Sequence, residues 1–140
     1  MKKQLMSESE FQRHVLAAFK DDPNITIHRR NVGGIKKEDD SYVRFGEAGQ
    51  SDLWGIISEY RCPFCNRPQE GVHFEIELKS ATGKLTAKQE QWINTVKAYN
   101  GIAIVLRPIE SDPVGLRGRI CELLYRHLCP KCVEKSKLNP

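Results

Sequence analysis

The stretch Val72 to Lys79 restricts the chain more than any other, because its residues alternate in character one by one. Phe74, Ile76 and Leu78 fall on one side of an extended strand, and Glu75, Glu77 and Lys79 on the other. The first side is apolar enough to pack under a helix. The second carries two carboxylates and an ammonium at three successive outward positions. Gly49 to Ile57 reads as the preceding strand, with Asp52 near its start. If the two strands pair, Asp52 approaches Glu77, and neighbouring carboxylates repel unless a cation lies between them. Hard oxygen ligands with room for water suit magnesium or manganese. A lysine beside such an ion can hold a water or offset charge on a phosphoryl group. Without an ion the same face is an ordinary solvated sheet surface, so its surroundings have to decide.

Those surroundings read as a mixed α/β order. Ser7 to Phe19 has helical spacing, with Phe11, Val15 and Phe19 on one stripe, Ser7 as N-cap and Glu8 in the first turn. Ile25 to Arg29 reads as a short strand after the breaker Asp21-Asp22-Pro23-Asn24. Asn31 to Gly49 reads as a long loop containing at most a short strand at Tyr42 to Phe45. Leu53 to Tyr60 and Val72 to Ser80 are the central strands. A helix from Thr86 to Tyr99 buries Trp92, Val96 and Tyr99, and Asn100-Gly101 stops it. Ile102 to Leu106 is a continuous apolar run, expected as a strand covered on both faces. Asp112-Pro113 starts a last helix running to about Leu128, with Ile120, Leu123, Leu124 and Leu128 inward, and Val133 to Pro140 is a frayed tail. The expected fold class is therefore α/β, a small mixed central sheet flanked by helices.

A length of 140 residues gives room for one domain, 1–140, with a real core but not for two. The net charge of +4 permits a nucleic-acid partner without requiring one. The basic N-terminus is followed by no apolar segment, and no run reaches the length of a membrane span. A cytoplasmic protein with no membrane partner is the expectation. In that compartment five cysteines point to a metal or to free thiols before disulfides. Cys62-Pro63-Phe64-Cys65 and Cys129-Pro130-Lys131-Cys132 are two knuckles, each presenting two thiolates in a tight turn. Together they complete a tetrahedral zinc site. Four protein ligands leave no open position, so this zinc is structural, joining the central hairpin to the C-terminal end of the domain. Cys121 is left as a buried residue of the last helix. Two unconnected thiol pairs are the plainer alternative.

Three segments, Gly49-Gln50-Ser51-Asp52-Leu53, Glu75-Ile76-Glu77-Leu78-Lys79 and Gly83-Lys84-Leu85-Thr86-Ala87-Lys88-Gln89-Glu90-Gln91-Trp92, in this order resemble the VRR-NUC family. This is the virus-type replication-repair nuclease branch of the PD-(D/E)XK nuclease superfamily. The resemblance runs from about Ser7 to Leu106. It implies a restriction-endonuclease-like core of helix, three-stranded meander, helix and strand, and metal-dependent phosphodiester hydrolysis. The family's acidic pair falls on Asp52 and Glu77, its lysine on Lys79 and its helix glutamine on Gln89. The superfamily's Pro-Asp is Ser51-Asp52 here. Asp52, Glu77 and the Leu78 carbonyl would hold Mg²⁺ or Mn²⁺, and Lys79 would orient water or offset charge on the phosphorane. The zinc knuckles and the C-terminal helix are additions that the resemblance does not explain.

Several roles stay open at this point. Glu8 and Glu10 both lie where an acid of the first helix would support the metal; Glu8, nearer the inward stripe, is the choice, though a first-turn acid also suits the helix dipole. Gln89 is also the third residue of a Thr86-Ala87-Lys88-Gln89 capping box. Glu75 either supports the metal from behind or pairs with a base. Arg29, Arg30, Asn31, Lys84 and Lys88 are candidates for phosphate contacts. His14, His28, His73 and His127 have no assigned role, and His73 is set on the face opposite Glu77. The functional expectation is an endonuclease acting on DNA, structure-selective for branched substrates in replication, repair or recombination, with a homodimer left open. Two rivals are a catalytically inactive nucleic-acid-binding module and a zinc-ribbon interaction protein.

Overall fold

The computed structural model describes residues 6–31, 33–109 and 114–138. Helix α1, Glu8–Ala18, begins at Ser7, whose hydroxyl accepts the Glu10 amide at 3.3 Å. Its Phe11 and Val15, with the C-cap Phe19, lie buried as their spacing predicts. The Asp22 carboxylate then accepts the amides of Asn24 and Ile25 at 2.9 and 3.0 Å and leads the chain into β1, Ile25–Arg29.

Within the expected loop from Asn31 to Gly49, β2 (Gly33–Lys36) pairs with β3 (Tyr42–Phe45), the short strand foreseen there, so that most of the segment is a hairpin. The charged run between them is its turn. Lys37 donates its amide to the Ser41 carbonyl at 2.7 Å, Asp39 accepts from the Ser41 amide and hydroxyl, and Asp40 takes a positive φ of 67°. Short polar side chains that bond their own backbone make such turns tight, and composition alone hid this behind the look of a solvated loop.

Strands β4 (Leu53–Arg61) and β5 (Pro68–Leu78) form a long antiparallel hairpin in the register Leu53↔Ile76. Strand β1 adds antiparallel to the other edge of β4. Strand β6, Ile102–Leu106, returns through α2, Ala87–Ala98, to lie parallel beside β5. The four-stranded sheet therefore has the order β1-β4-β5-β6, a mixed sheet flanked by helices as expected. Helices α1 and α3 (Gly115–Leu124) cover one face, where Leu53, Ile57, Phe74, Ile76 and Leu78 meet Val15, Ile120 and Leu124 in the main core. Helix α2 lies against β5 and β6.

Other expectations need correction. Ile93 and Val96 are the buried residues of α2, whereas Trp92 is half-buried and Tyr99 is 84% exposed. Tyr99 is the C-cap, so its side chain has left the helical spiral. Strand β6 is an edge strand, with Ile102 and Leu106 buried and the three residues between them half-buried. Helix α3 stops at Leu124, and the expected tail is a further helix, α4 (Pro130–Leu138). Proline is pre-set for a first helical turn, and the Cys129 carbonyl accepts the Val133 amide at 3.0 Å. Asp112 and Pro113 lie outside the described residues. No helix among the described residues is long and apolar enough to cross a membrane.

Candidate functional site

Asp52 stands one residue before β4, and the register that pairs Leu53 with Ile76 sets it opposite Glu77. Its Oδ2 accepts the Leu78 amide at 2.9 Å, which fixes the carboxylate across the strand gap. Glu77 is 3% exposed, which the plainer alternative of an ordinary solvated sheet face did not allow for. The face is covered because α2 lies over this end of β5, and it has to be, since Glu77 is tied to that helix. Gln89 Nε2 donates to Glu77 Oε1 at 2.9 Å, while Gln89 Oε1 accepts the Thr86 amide at 2.9 Å. One Gln89 amide thus completes the capping box and, with its other end, holds the Glu77 carboxylate. The loop before Asp52 is pressed against the same helix. A Cβ on Gly49, at φ +93°, would meet the Lys88 carbonyl, so the position requires glycine twice over.

The second Glu77 oxygen, Oε2, is buried with no hydrogen-bond partner. Burial first, and then the Asp52 carboxylate, push the Glu77 carboxyl up to about 8, against the pull of Lys79, and Glu8 pushes in the same direction. Two facing carboxylates, one with an oxygen lacking a hydrogen-bond partner, make a donor set that Mg²⁺ or Mn²⁺ would fit by charge and by preference for oxygen. Glu8 is an exposed residue whose charge is felt at Glu77. Lys79 is half-buried and anchors its backbone to β6 through the Leu106 carbonyl at 3.0 Å.

Two positions behind Glu77 lies a network that the residue pattern did not reveal. Glu75 is fully buried and receives a two-pronged guanidinium from Arg30, one prong at 2.8 Å, with Trp92 Nε1 at 2.7 Å and His73 Nε2 at 2.6 Å. Burial alone would raise the Glu75 carboxyl, but the bonds from Arg30, Trp92 and His73 outweigh it and hold the group below its ordinary value. Glu75 therefore pairs with a base, as one of its two readings held. Arg30, taken as a phosphate contact, is that base, and it donates to the Ser51 carbonyl at 3.3 Å as well. His73 shares the face of Glu75 and Glu77 rather than opposing it. Counting in twos along the strand from Glu75 would have found this.

At the far end of the hairpin, Cys62, Cys65, Cys129 and Cys132 bring their sulfurs within 4.8 Å of one another. Cys62, Cys129 and Cys132 are buried and Cys65 is exposed. The Cys129 amide donates to Cys62 Sγ at 3.3 Å. Burial opposes ionisation of Cys62, yet amides of Cys129, Cys65 and Phe64 stabilise its thiolate and lower it to about 6. A tetrahedron with metal–sulfur bonds of about 2.3 Å has edges of about 3.8 Å, so a metal ion such as zinc fits with a small contraction. Tyr60 donates its hydroxyl to the His127 carbonyl beside this cluster. Cys121 is half-buried in α3 and takes no part in it.

Fold and side chains together define a three-layer α/β domain with a carboxylate, lysine and glutamine cluster at one end of its central hairpin and a four-cysteine cluster at the other. No protein-family model matches the sequence, and no curated protein matches it. Among solved structures the chain is similar to a protein described as "VRR_NUC domain protein", at 20% identity and a TM-score of 0.49, over 85% of this chain and 86% of that one.

Proposed function

We propose that this protein is a divalent-metal-dependent deoxyribonuclease, an endonuclease hydrolysing phosphodiester bonds in branched or otherwise structured DNA in the cytoplasm. One observation carries the reading: Glu77 keeps a carboxylate oxygen buried without a partner, opposite the carboxylate of Asp52 and two residues from Lys79. A fold does not set a second carboxylate against a buried one for stability, because each raises the cost of ionising the other.

Bound Mg²⁺ or Mn²⁺ would polarise a phosphoryl oxygen and lower the pKa of a coordinated water. Asp52 and Glu77, with the Leu78 carbonyl, would hold the ion. The Leu78 amide fixes Asp52, and Gln89 occupies one Glu77 oxygen, which leaves the other for the metal. Lys79 supplies positive charge to the phosphorane or orients the attacking water. Glu8, from α1, supports the cluster through charge. Arg29, Asn31, Lys84 and Lys88 are exposed and free to meet phosphates, whereas Arg30 is committed to Glu75. The four cysteines hold Zn²⁺ as a structural ion, tying α4 to the β4–β5 turn.

The test is cleavage of a panel of linear and branched DNAs with Mg²⁺, with Mn²⁺ and with neither. Asp52→Ala, Glu77→Ala and Lys79→Ala should each cut at least about a hundredfold more slowly while circular dichroism stays unchanged. Full activity in a folded Glu77→Ala protein would sink the assignment. A zinc-ribbon module would show no cleavage with any metal.

A further inference from the structure

Three rings stand in a row across the sheet face opposite the main core. His28 of β1 and Trp54 of β4 are paired across the strands, with ring centroids 4.7 Å apart and planes at 35°. Trp54 and His73 of β5 continue the row at 6.1 Å and 26°. Both histidines are exposed and the tryptophan is half-buried. Next to His73 a groove of about 490 Å³ opens between β5 and the C-terminal half of α2, walled by Val72, Trp92, Val96 and Tyr99. Tyr99 holds a large ring in water at its rim.

The geometry points to a site in this groove for an unpaired nucleobase, stacked where the His28–Trp54–His73 row ends. The substrate would then be DNA with unpaired bases beside the cleaved bond. This rests on the nuclease reading for the nature of the ligand and deepens it by naming the substrate class. Flat rings at the edge of a nuclease site receive bases, since every base has a π-face and stacking tolerates any sequence. No lysine or arginine is among the described residues lining the groove, and Glu70 is, so a neutral ring suits it better than a phosphate. The groove lies beside the candidate metal site: Trp92 both lines it and donates to Glu75, two residues from Glu77. Four steps along the strand lead from His73 to Glu77, about 13 Å at ~3.3 Å per residue, a span of a few nucleotides. Bases inside an intact duplex are covered on both faces by their neighbours, so only unpaired or splayed ones can enter.

The experiment measures DNA affinity of the zinc-loaded full chain with Ca²⁺ in place of Mg²⁺, using a single strand, a fork with a single-stranded arm and a blunt duplex. Tyr99→Ala and His73→Ala, which remove the rim ring and the last ring of the row from the groove, should weaken binding of the single strand and the fork by roughly fivefold or more, the lower end of base–ring stacking. Binding of the blunt duplex should stay within about twofold, and Tyr99→Phe, which keeps the ring, should match wild type. If both alanine variants bind all three DNAs as wild type does, the stacking site falls, even where Glu77-dependent cleavage stands. If the ring effect is present and no DNA is cut with any metal, the nuclease reading falls and the stacking site remains.

Discussion

Replacing Arg30 by methionine tests the most exacting contact in the structure. Glu75 is fully buried, and Arg30 supplies two of its four hydrogen bonds, the others coming from Trp92 and His73. Methionine keeps much of the arginine's apolar stem but leaves a buried carboxylate without its counter-charge. Removing one partner of such a pair costs about 3–5 kcal/mol, a fifth or more of a stability that for most domains is about 5–15 kcal/mol. Urea unfolding of zinc-loaded protein, followed by tryptophan fluorescence at pH 7, reads this loss directly. The sign of its pH dependence is fixed as well. In wild type the folded Glu75 carboxyl lies below its ordinary value, so its contribution is present at neutral pH and is lost as pH falls through the folded value. Without Arg30 the counter-charge and two of the bonds that offset burial are gone, so protonation costs the variant less than wild type, and the gap between them narrows as pH falls from 7 towards 5. The double variant Arg30→Met, Glu75→Leu should recover most of the loss, less about 1 kcal/mol for the stranded Trp92 donor. A loss below about 1 kcal/mol in Arg30→Met, or a gap that widens on acidification, would refute the argument that this pair is a buried ion pair.

Added Mg²⁺ should raise the melting temperature more at pH 8 than at pH 6. The Glu77 carboxyl is raised to about 8 from an ordinary 4.5, so without Mg²⁺ its contribution is full below the ordinary value and is lost as pH rises through 8, where the ion takes the proton's place; equal shifts at both pH values would contradict a carboxylate metal site. Glu8→Gln should slow cleavage several times more than Glu10→Gln, and equal small effects would leave Glu8 as a partner of the helix dipole alone. Elemental analysis should find one zinc per chain in wild type and in Cys121→Ser but less in Cys129→Ser, whose melting temperature should fall with the loss of several kcal/mol; a zinc-free protein of undiminished stability would remove the structural ion from the reading.

Local pattern determined much of this protein on its own. The alternation of Val72 to Lys79 placed Phe74, Ile76 and Leu78 in the core, and the stripe Phe11, Val15, Phe19 did the same for α1. The pairing of Asp52 with Glu77 and of Gln89 with the Thr86 cap followed from spacing along strand and helix. Each cysteine knuckle was legible in the same way as a turn of fixed geometry, but the meeting of the two, 64 residues apart from Cys65 to Cys129, belongs to the tertiary structure. What the sequence could not decide was depth. Period-two alternation says that Glu75 and Glu77 share a face, not whether that face meets water, and only the placement of α2 over β5 buries them. The partners of Glu75 come from the residue after β1, from β5 and from α2, at separations of 45, 2 and 17 residues, and no local pattern encodes a meeting of that kind. The hairpin β2–β3 and the helix α4 were missed for a related reason: charged, polar segments look solvated until a turn or a pair of sulfurs holds them in place. Tyr99 was assigned to the core by its spacing, but the helix ends one residue earlier, and that ending leaves its ring at the rim of the groove.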